Sequence, residues 1–272
     1  MDIGVLGPLV ARAHGMSVAP TAGKPRQILA LLALHPGQVV TASALMEEVW
    51  GEDLPRSAST TLQSYIRQLR CCLRRALAVA GKGDVKDVLA TRHGGYLLDI
   101  DPECVDVAAF ERLVASGRAA WSAGDLAAAA GRFADALAIW RGPALVDVSA
   151  GRLLEVQLLR LDEMRLAALE ARIAADLELG RHAELLGELA ALSALHPTYE
   201  NIHAMHMLAL HRAGRTGDAL EAFHRLRGML VEQLGVEPAP QVQRLLQSIL
   251  SADPQLRRHG RADGPLPVRL VG

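Results

Sequence analysis

Aromatic residues are scarce in this chain. They make up 3% of its 272 residues, three each of Phe, Tyr and Trp, while 50% of the chain is hydrophobic. The core must therefore be filled by Leu and Ala. A β-sandwich or barrel draws on more aromatic and β-branched side chains, and an Ala/Leu-rich chain favours helix. Cysteine is also rare. Cys71, Cys72 and Cys104 are odd in number and form no CxxC pair, which excludes a disulfide framework and a zinc ribbon. No apolar run reaches the length of about 18 residues that a membrane helix needs. Asp2 and Gly4 break any basic-then-apolar leader at the start, so a cytoplasmic protein is expected. No GxxxxGK[ST] loop and no Ser/His/Asp order stands out. His203, His206 and His211 share one expected helix and are read as packing residues, not metal ligands. An enzyme, a metal and a cofactor are all unexpected.

Acid is missing from one stretch in particular. No Asp or Glu lies between Asp53 and Asp84, whereas Arg56, Arg67, Arg70, Arg74, Arg75 and Lys82 do. The whole chain has a formal net charge of −1. Residues 1–100 hold 11 basic and 8 acidic residues, and the remainder holds 18 and 22. An acid-free basic segment is the footprint of a polyanion partner.

The order of elements gives that segment a setting. Ile3 to Val10 reads as a strand interrupted by Gly7-Pro8, with a second extended piece around Val18. Pro25 opens a helix that runs to about Leu34, and His35-Pro36-Gly37 stops it. Val39-Val40 is a short extended link. Thr41 or Ser43 caps a second helix with Leu45, Val49 and Trp50 on its apolar face. A third helix, opening between Pro55 and Ser59 and ending near Ala80, carries Leu62, Ile66, Leu69, Leu73 and Leu77 as one stripe. Gly81 and Gly83 stop it. Val88 to Thr91 and Tyr96 to Ile100 then form a hairpin around His93-Gly94-Gly95. Strands, three helices and a hairpin in this order make a winged helix-turn-helix.

From Asp101-Pro102 onward the chain reads as helical to about Leu250. A weak repeat runs through it. Small or apolar residues fall 5, 9 and 12 places after Gly124, Gly180 and Gly214. The last two glycines are 34 residues apart, the tetratricopeptide period. A longer spacer centred on Arg141-Gly142-Pro143 separates the first two. The fold expected is mainly α: a winged helix-turn-helix (α+β) over residues 1–100, then an all-α, tetratricopeptide-like repeat domain over 104–250. Residues 251–272 are expected to be a disordered tail.

With the Leu/Ile stripe turned inward, the third helix offers Thr60, Ser64, Arg67, Gln68, Cys71 and Arg75 outward, flanked by Tyr65, Arg70 and Arg74. Arg pairs bidentately with guanine and Gln with adenine, while Ser, Thr and flanking Arg suit phosphates. Arg92 and His93 on the wing, with Thr91 behind them, would reach the backbone or the minor groove. Lys24 and Arg26 at the first helix would clamp a phosphate. The alternative is a tetratricopeptide-like interaction scaffold that reads no DNA, which leaves the basic face without a purpose.

Several stretches resemble the SARP family of antibiotic-pathway activators. They are Val5-Leu6-Gly7-Pro8-Leu9, Lys24-Pro25-Arg26-Gln27-Ile28-Leu29-Ala30-Leu31-Leu32, Glu48-Val49-Trp50-Gly51 and Thr61 to Arg70. Phe110-Glu111-Arg112-Leu113, Ala138 to Leu145 and Leu234-Gly235-Val236-Glu237-Pro238 resemble the bacterial transcriptional activation domain of those proteins. The resemblance covers about residues 2 to 250. It implies the OmpR-type winged helix and an activator that binds direct repeats near a promoter's −35 region as two protomers. Such an activator recruits RNA polymerase, through its sigma or alpha subunit, at secondary-metabolite gene clusters. By position, Thr61, Ser64, Tyr65, Arg67, Gln68 and Arg70 match the DNA-contacting positions of the recognition helix, and Arg92 and Tyr96 match the wing. Two departures stand out. The wing reads Arg92-His93-Gly94-Gly95-Tyr96 in place of Arg-Gly-x-Gly-Tyr, and Cys71 occupies a position that is often basic.

Overall fold

A computed structural model describes residues 1–80 and 84–257. The chain opens with an antiparallel sheet of β1 (Asp2–Gly4), β2 (Val10–Ala13) and β3 (Met16–Ser17). The interrupted strand expected at Ile3 to Val10 is thus two strands, paired from Asp2↔Arg12 to Gly4↔Val10. Next come α1 (Gly23–Ala33), β4 (Val39–Thr41), α2 (Ala42–Trp50) and α3 (Ala58–Ala80). Thr41 is the residue that caps α2, its Oγ1 accepting from the Ala44 N–H at 3.1 Å. On α3, Ala58, Leu62, Ile66, Leu69, Leu73 and Ala76 are all buried. Each fully buried Leu or Ile contributes roughly 1.5–3 kcal/mol. The side chain of Leu77 and the stop expected at Gly81 and Gly83 lie outside the described residues.

A one-turn helix, α4 (Val85–Val88), follows, which the sequence did not announce. Asp84 and Asp87 form a reciprocal capping box at its start. The wing consists of β5 (Leu89–Arg92) and β6 (Gly95–Leu98), and β6 lies between β5 and β4. The turn is only His93-Gly94, with Gly94 at φ +80°. Gly95 is needed for a different reason, because a Cβ there would sit 2.2 Å from the Val40 carbonyl oxygen. The two glycines of this wing therefore divide the work: one turns the chain, and the other lets β4 approach.

The remaining helices are α5 (Asp106–Ser122), α6 (Leu126–Ala138), α7 (Arg152–Glu178), α8 (His182–Leu195), α9 (Glu200–Arg212), α10 (Thr216–Leu234) and α11 (Pro240–Leu250). They form three pairs, each joined at one of the repeat glycines, and a final helix. Gly124, Gly180 and Gly214 share one conformation, φ +79°, +80° and +79°. Each closes its helix with the same two bonds: the glycine N–H to the carbonyl three residues back, and the next N–H to the carbonyl five residues back.

By packing, the chain forms two compact units, each drawn from segments apart in the sequence. The first combines Met1–Leu113 with Asp135–Arg165, and the second combines Val114–Ala134 with the chain from Leu166. Hydrogen bonds explain why the first unit gathers distant segments. The Asp106 carboxylate accepts from the Val5 and Leu6 N–H groups at 2.9 and 3.1 Å. Asp147 accepts from the Leu9 N–H at 2.7 Å. The Arg141 N–H donates to the Leu6 carbonyl, and the Leu145 N–H to those of Val5 and Gly7. Arg141 lies so close over Gly7 that a Cβ there would meet its side chain at 2.8 Å. From α2, the carboxylate of Glu48 accepts from the N–H groups of Gly151, Leu153 and Leu154, at the start of α7.

The second unit has its own core, with Leu185, Leu189, Met205, Leu208, Phe223, Leu226, Val242, Leu245 and Ile249 buried together. The disordered tail expected from residue 251 does not begin there. Residues 254–257 make a 3₁₀ turn, and Leu256 packs against that core while its carbonyl accepts from Arg212 Nε at 2.8 Å. The rest of the expected tail, 258–272, lies outside the described residues.

Candidate nucleic-acid interface

The outward face of α3 is as the periodicity requires. Thr60, Ser64, Arg67, Gln68, Cys71, Arg74 and Arg75 are exposed, and Thr61, Tyr65 and Arg70 are half-buried. Arg67, Arg74 and Arg75 make no ion pair or side-chain hydrogen bond among the described residues. Among the described residues their charge is therefore uncompensated, as a phosphate-facing surface requires. Ser64 Oγ donates back to the Thr60 carbonyl at 3.1 Å, so its hydroxyl oxygen keeps its lone pairs outward.

Arg70 is used differently. Its Nε and Nη2 both donate to the Leu89 carbonyl, at 3.0 and 2.8 Å, and Nη2 also reaches Thr91 Oγ1 at 2.9 Å. Arg70 and Thr91 thus tie the wing to α3 and set the angle between the two surfaces that would meet DNA. At the wing tip Arg92 and His93 are exposed. Arg92 is held only loosely, 3.9 Å from Asp99 with both side chains about half exposed. Tyr96 is half-buried in β6, paired with Val40 on one side and Thr91 on the other.

The pair at α1 divides as well. Lys24 is exposed, its Nζ 5.0 Å above the Trp50 ring. The Trp50 ring in turn stacks on Tyr65 at 6.1 Å and 21°. This column joins α1, α2 and α3, and nothing in the sequence pointed to it. Arg26 faces inward. It pairs with Asp147 and donates to the carbonyls of Leu9 and Pro20 at 3.3 and 3.1 Å, with its side chain 16% exposed. Of the two, only Lys24 stands exposed beside the start of α1, where Ala22 supplies no side-chain cap.

The histidines of α9 are buried. His206 Nδ1 lies 3.3 Å from Ser193 Oγ, and His211 Nδ1 lies 3.2 Å from Thr216 Oγ1. Burial, helped by neighbouring His203 and the guanidinium groups of Arg225 and Arg215, lowers the His206 pKa from 6.5 to about 4. His203 is lowered too, chiefly by burial. Among the described residues no three His, Cys, Asp or Glu side chains are grouped to hold a metal ion. No described helix is long and apolar enough to cross a membrane.

A winged helix with an unpaired basic face, continued by helical repeats, defines a class of transcription regulators. Comparison with known proteins bears this out. Residues 19–98 match the family described as transcriptional regulatory protein, C terminal, and residues 105–250 match the bacterial transcriptional activator domain. The chain is 55% identical to the regulatory protein DnrI of Streptomyces peucetius, over 96% of each. It is 36% identical to the transcriptional regulator RedD of Streptomyces coelicolor, over 94% of this chain and 72% of that one. A solved structure of Mycobacterium tuberculosis EmbR, in complex with a low-affinity phosphopeptide, superposes with a TM-score of 0.86 at 31% identity. That match covers 94% of this chain and 68% of the other. The chain belongs to the SARP family of transcriptional activators.

Proposed function

We propose that this protein is a sequence-specific DNA-binding activator that acts in the cytoplasm on genes of antibiotic or other secondary metabolism. The observation that carries the reading is the outward face of α3, where Arg67, Arg74 and Arg75 stand exposed and, among the described residues, unpaired, in a segment with no acid. In this reading α3 enters the major groove. Arg67 and Gln68 read base edges, while Thr60, Thr61, Ser64 and Arg74 contact phosphates. Arg92 and His93 on the wing follow the adjacent backbone or minor groove, and Lys24 holds a phosphate at the start of α1. Tyr65, Arg70, Thr91 and Tyr96 support these contacts from behind. Two protomers occupy direct repeats near a −35 element, and the helical half recruits RNA polymerase through its sigma or alpha subunit.

The test starts from sheared genomic DNA of the source organism. Fragments retained by the full chain are sequenced, and the bound site is used in gel shifts across a salt series. Tight binding that weakens steeply with salt is expected, with a repeated half-site in the sequence. Losing one bidentate base contact in Arg67→Ala should cost about 1–3 kcal/mol and relax specificity at one base pair. Salt-insensitive binding, or none, would sink the reading. Transcription from the same site with purified polymerase holoenzyme tests the recruitment step.

A further inference from the structure

Within the second unit, α8, α9 and α10 line an open pocket of about 380 Å³ that no part of the DNA-reading surface uses. Its walls are of two kinds. Leu186, Gly187, Ala190 and Leu210 supply an apolar side, and His206 stands among them. The mouth carries Arg215, Asp218, Glu221 and Arg225. The last three are spaced i, i+3 and i+7 along α10, so they share one face of it.

Three features suit this space to a ligand. Gly187 sits in the interior of α8, where glycine is less favourable than alanine, yet a Cβ there would meet nothing within 4 Å. Packing therefore does not call for the missing side chain, and its absence keeps the apolar wall open. His206 is 8% exposed and neutral near pH 7. With Nδ1 beside the Ser193 hydroxyl, the tautomer in which Ser193 donates leaves Nε2 as an N–H donor. Lastly, the two arginines at the mouth differ. Arg215 is held to Asp218 by a short hydrogen bond. Arg225 lies 3.7 Å from Glu221, with the two side chains 63% and 72% exposed. So loose a surface pair is exchanged at little cost, which leaves Arg225 able to turn toward an anion.

We infer that this cavity binds a small organic molecule that joins an apolar ring or chain to an anionic group such as a carboxylate. The apolar body lies along Leu186, Gly187, Ala190 and Leu210. Arg225 meets the anion, and His206 Nε2–H donates to an acceptor deeper in. The volume falls within the range of small-molecule sites, about 300–1,000 Å³. The site gives a regulator of this family a place for a chemical signal in the unit that does not carry its DNA-reading helix.

Anilinonaphthalene sulfonate supplies both an apolar body and an anion, and its fluorescence reports binding to the full-length protein. One saturable site is expected. Gly187→Leu fills the cavity, and its affinity should fall by at least about tenfold while Gly187→Ala retains the helical fold. Arg225→Gln, an exposed change that leaves folding intact, should weaken binding by about tenfold. The uncharged relative phenylnaphthylamine should not distinguish Arg225→Gln from the parent. Absence of a saturable site in the parent protein overturns the inference. So does undiminished binding by Arg225→Gln, which would assign the signal to exposed apolar patches only. Should Gly187→Leu fail to fold, Arg225→Gln decides alone.

Discussion

Two adjacent glutamates on α2 should behave very differently when truncated. Glu48 is 2% exposed. Its carboxylate accepts from Gln27 Nε2 at 2.9 Å and from the N–H groups of Gly151, Leu153 and Leu154 at 2.6, 2.9 and 3.1 Å. It thus caps α7 from another part of the chain, at a helix start where negative charge is favourable. In Glu48→Ala the amide of Gln27 keeps a partner, the Glu48 carbonyl at 2.6 Å. The three backbone donors do not. Each buried donor left unmade costs about 1–3 kcal/mol. Water entering the vacated space and the relieved burial of a charge offset part of the sum. A net loss of about 3–5 kcal/mol is expected, within the range measured when one partner of a buried charged group is removed. Glu47 is the internal control. Its ion pair with Arg152 is exposed, the two side chains at 45% and 78%. Glu47→Ala should change stability by no more than about 0.5 kcal/mol. Urea unfolding followed by the tryptophans of the first unit, Trp50 and Trp140, provides the comparison. Equal midpoints for the two variants would refute the argument that Glu48 holds the start of α7 onto the winged helix.

Other perturbations probe separate parts of the fold. Arg70→Ala removes the tie between α3 and β5 and should lower stability by about 1–3 kcal/mol, with faster amide exchange in Leu89–Arg92 and weaker DNA binding at every sequence tested. If amide exchange in the wing is unchanged, the tie is not what orients it. The lowered His206 pKa has a definite sign. The unfolded chain takes up a proton below pH 6.5, whereas the folded one resists until about pH 4. The contribution of His206 is therefore complete above pH 6.5 and is lost as pH falls toward 4. Allowing for partial solvent access, about 2 kcal/mol should disappear across that window, and less in His206→Gln. Parallel pH profiles for the two proteins would contradict this. Gly214→Ala places a side chain at φ +79° and should cost about 1–2 kcal/mol. Gly187→Ala, in a regular helix with open space around it, should be neutral or stabilising.

Much of the fold was legible because local rules govern it. The buried stripe of α3 follows from helical periodicity, and the exposure of Arg67 and Gln68 follows from the same arithmetic. The three repeat glycines were visible as spacing alone and proved to be three copies of one left-handed helix stop. The pieces that escaped reading depend on contacts far apart in the chain. Arg26 looked like a phosphate ligand, with charge and position both in favour, but Asp147 faces it from 121 residues away. Arg70 carried the same basic signature as Arg67, yet its guanidinium is spent on the wing. Capping by Asp84 and Asp87 was local and could have been found from their three-residue spacing.

By itself, then, the amino-acid sequence determined which faces are apolar, where helices start and stop, and which segment carries unopposed positive charge. These depend on neighbours within one or two helical turns, and side-chain chemistry decides them directly. Tertiary structure alone decided which of the basic residues remain free for a partner and where the winged helix ends as a physical body. The carboxylates of Glu48, Asp106 and Asp147 accept from backbone N–H groups roughly a hundred or more residues away, Asp147 also pairs with Arg26, and Arg70 is spent on the Leu89 carbonyl. No local pattern encodes such a pairing, because a carboxylate on a helix reads the same whether it faces water or a distant backbone N–H.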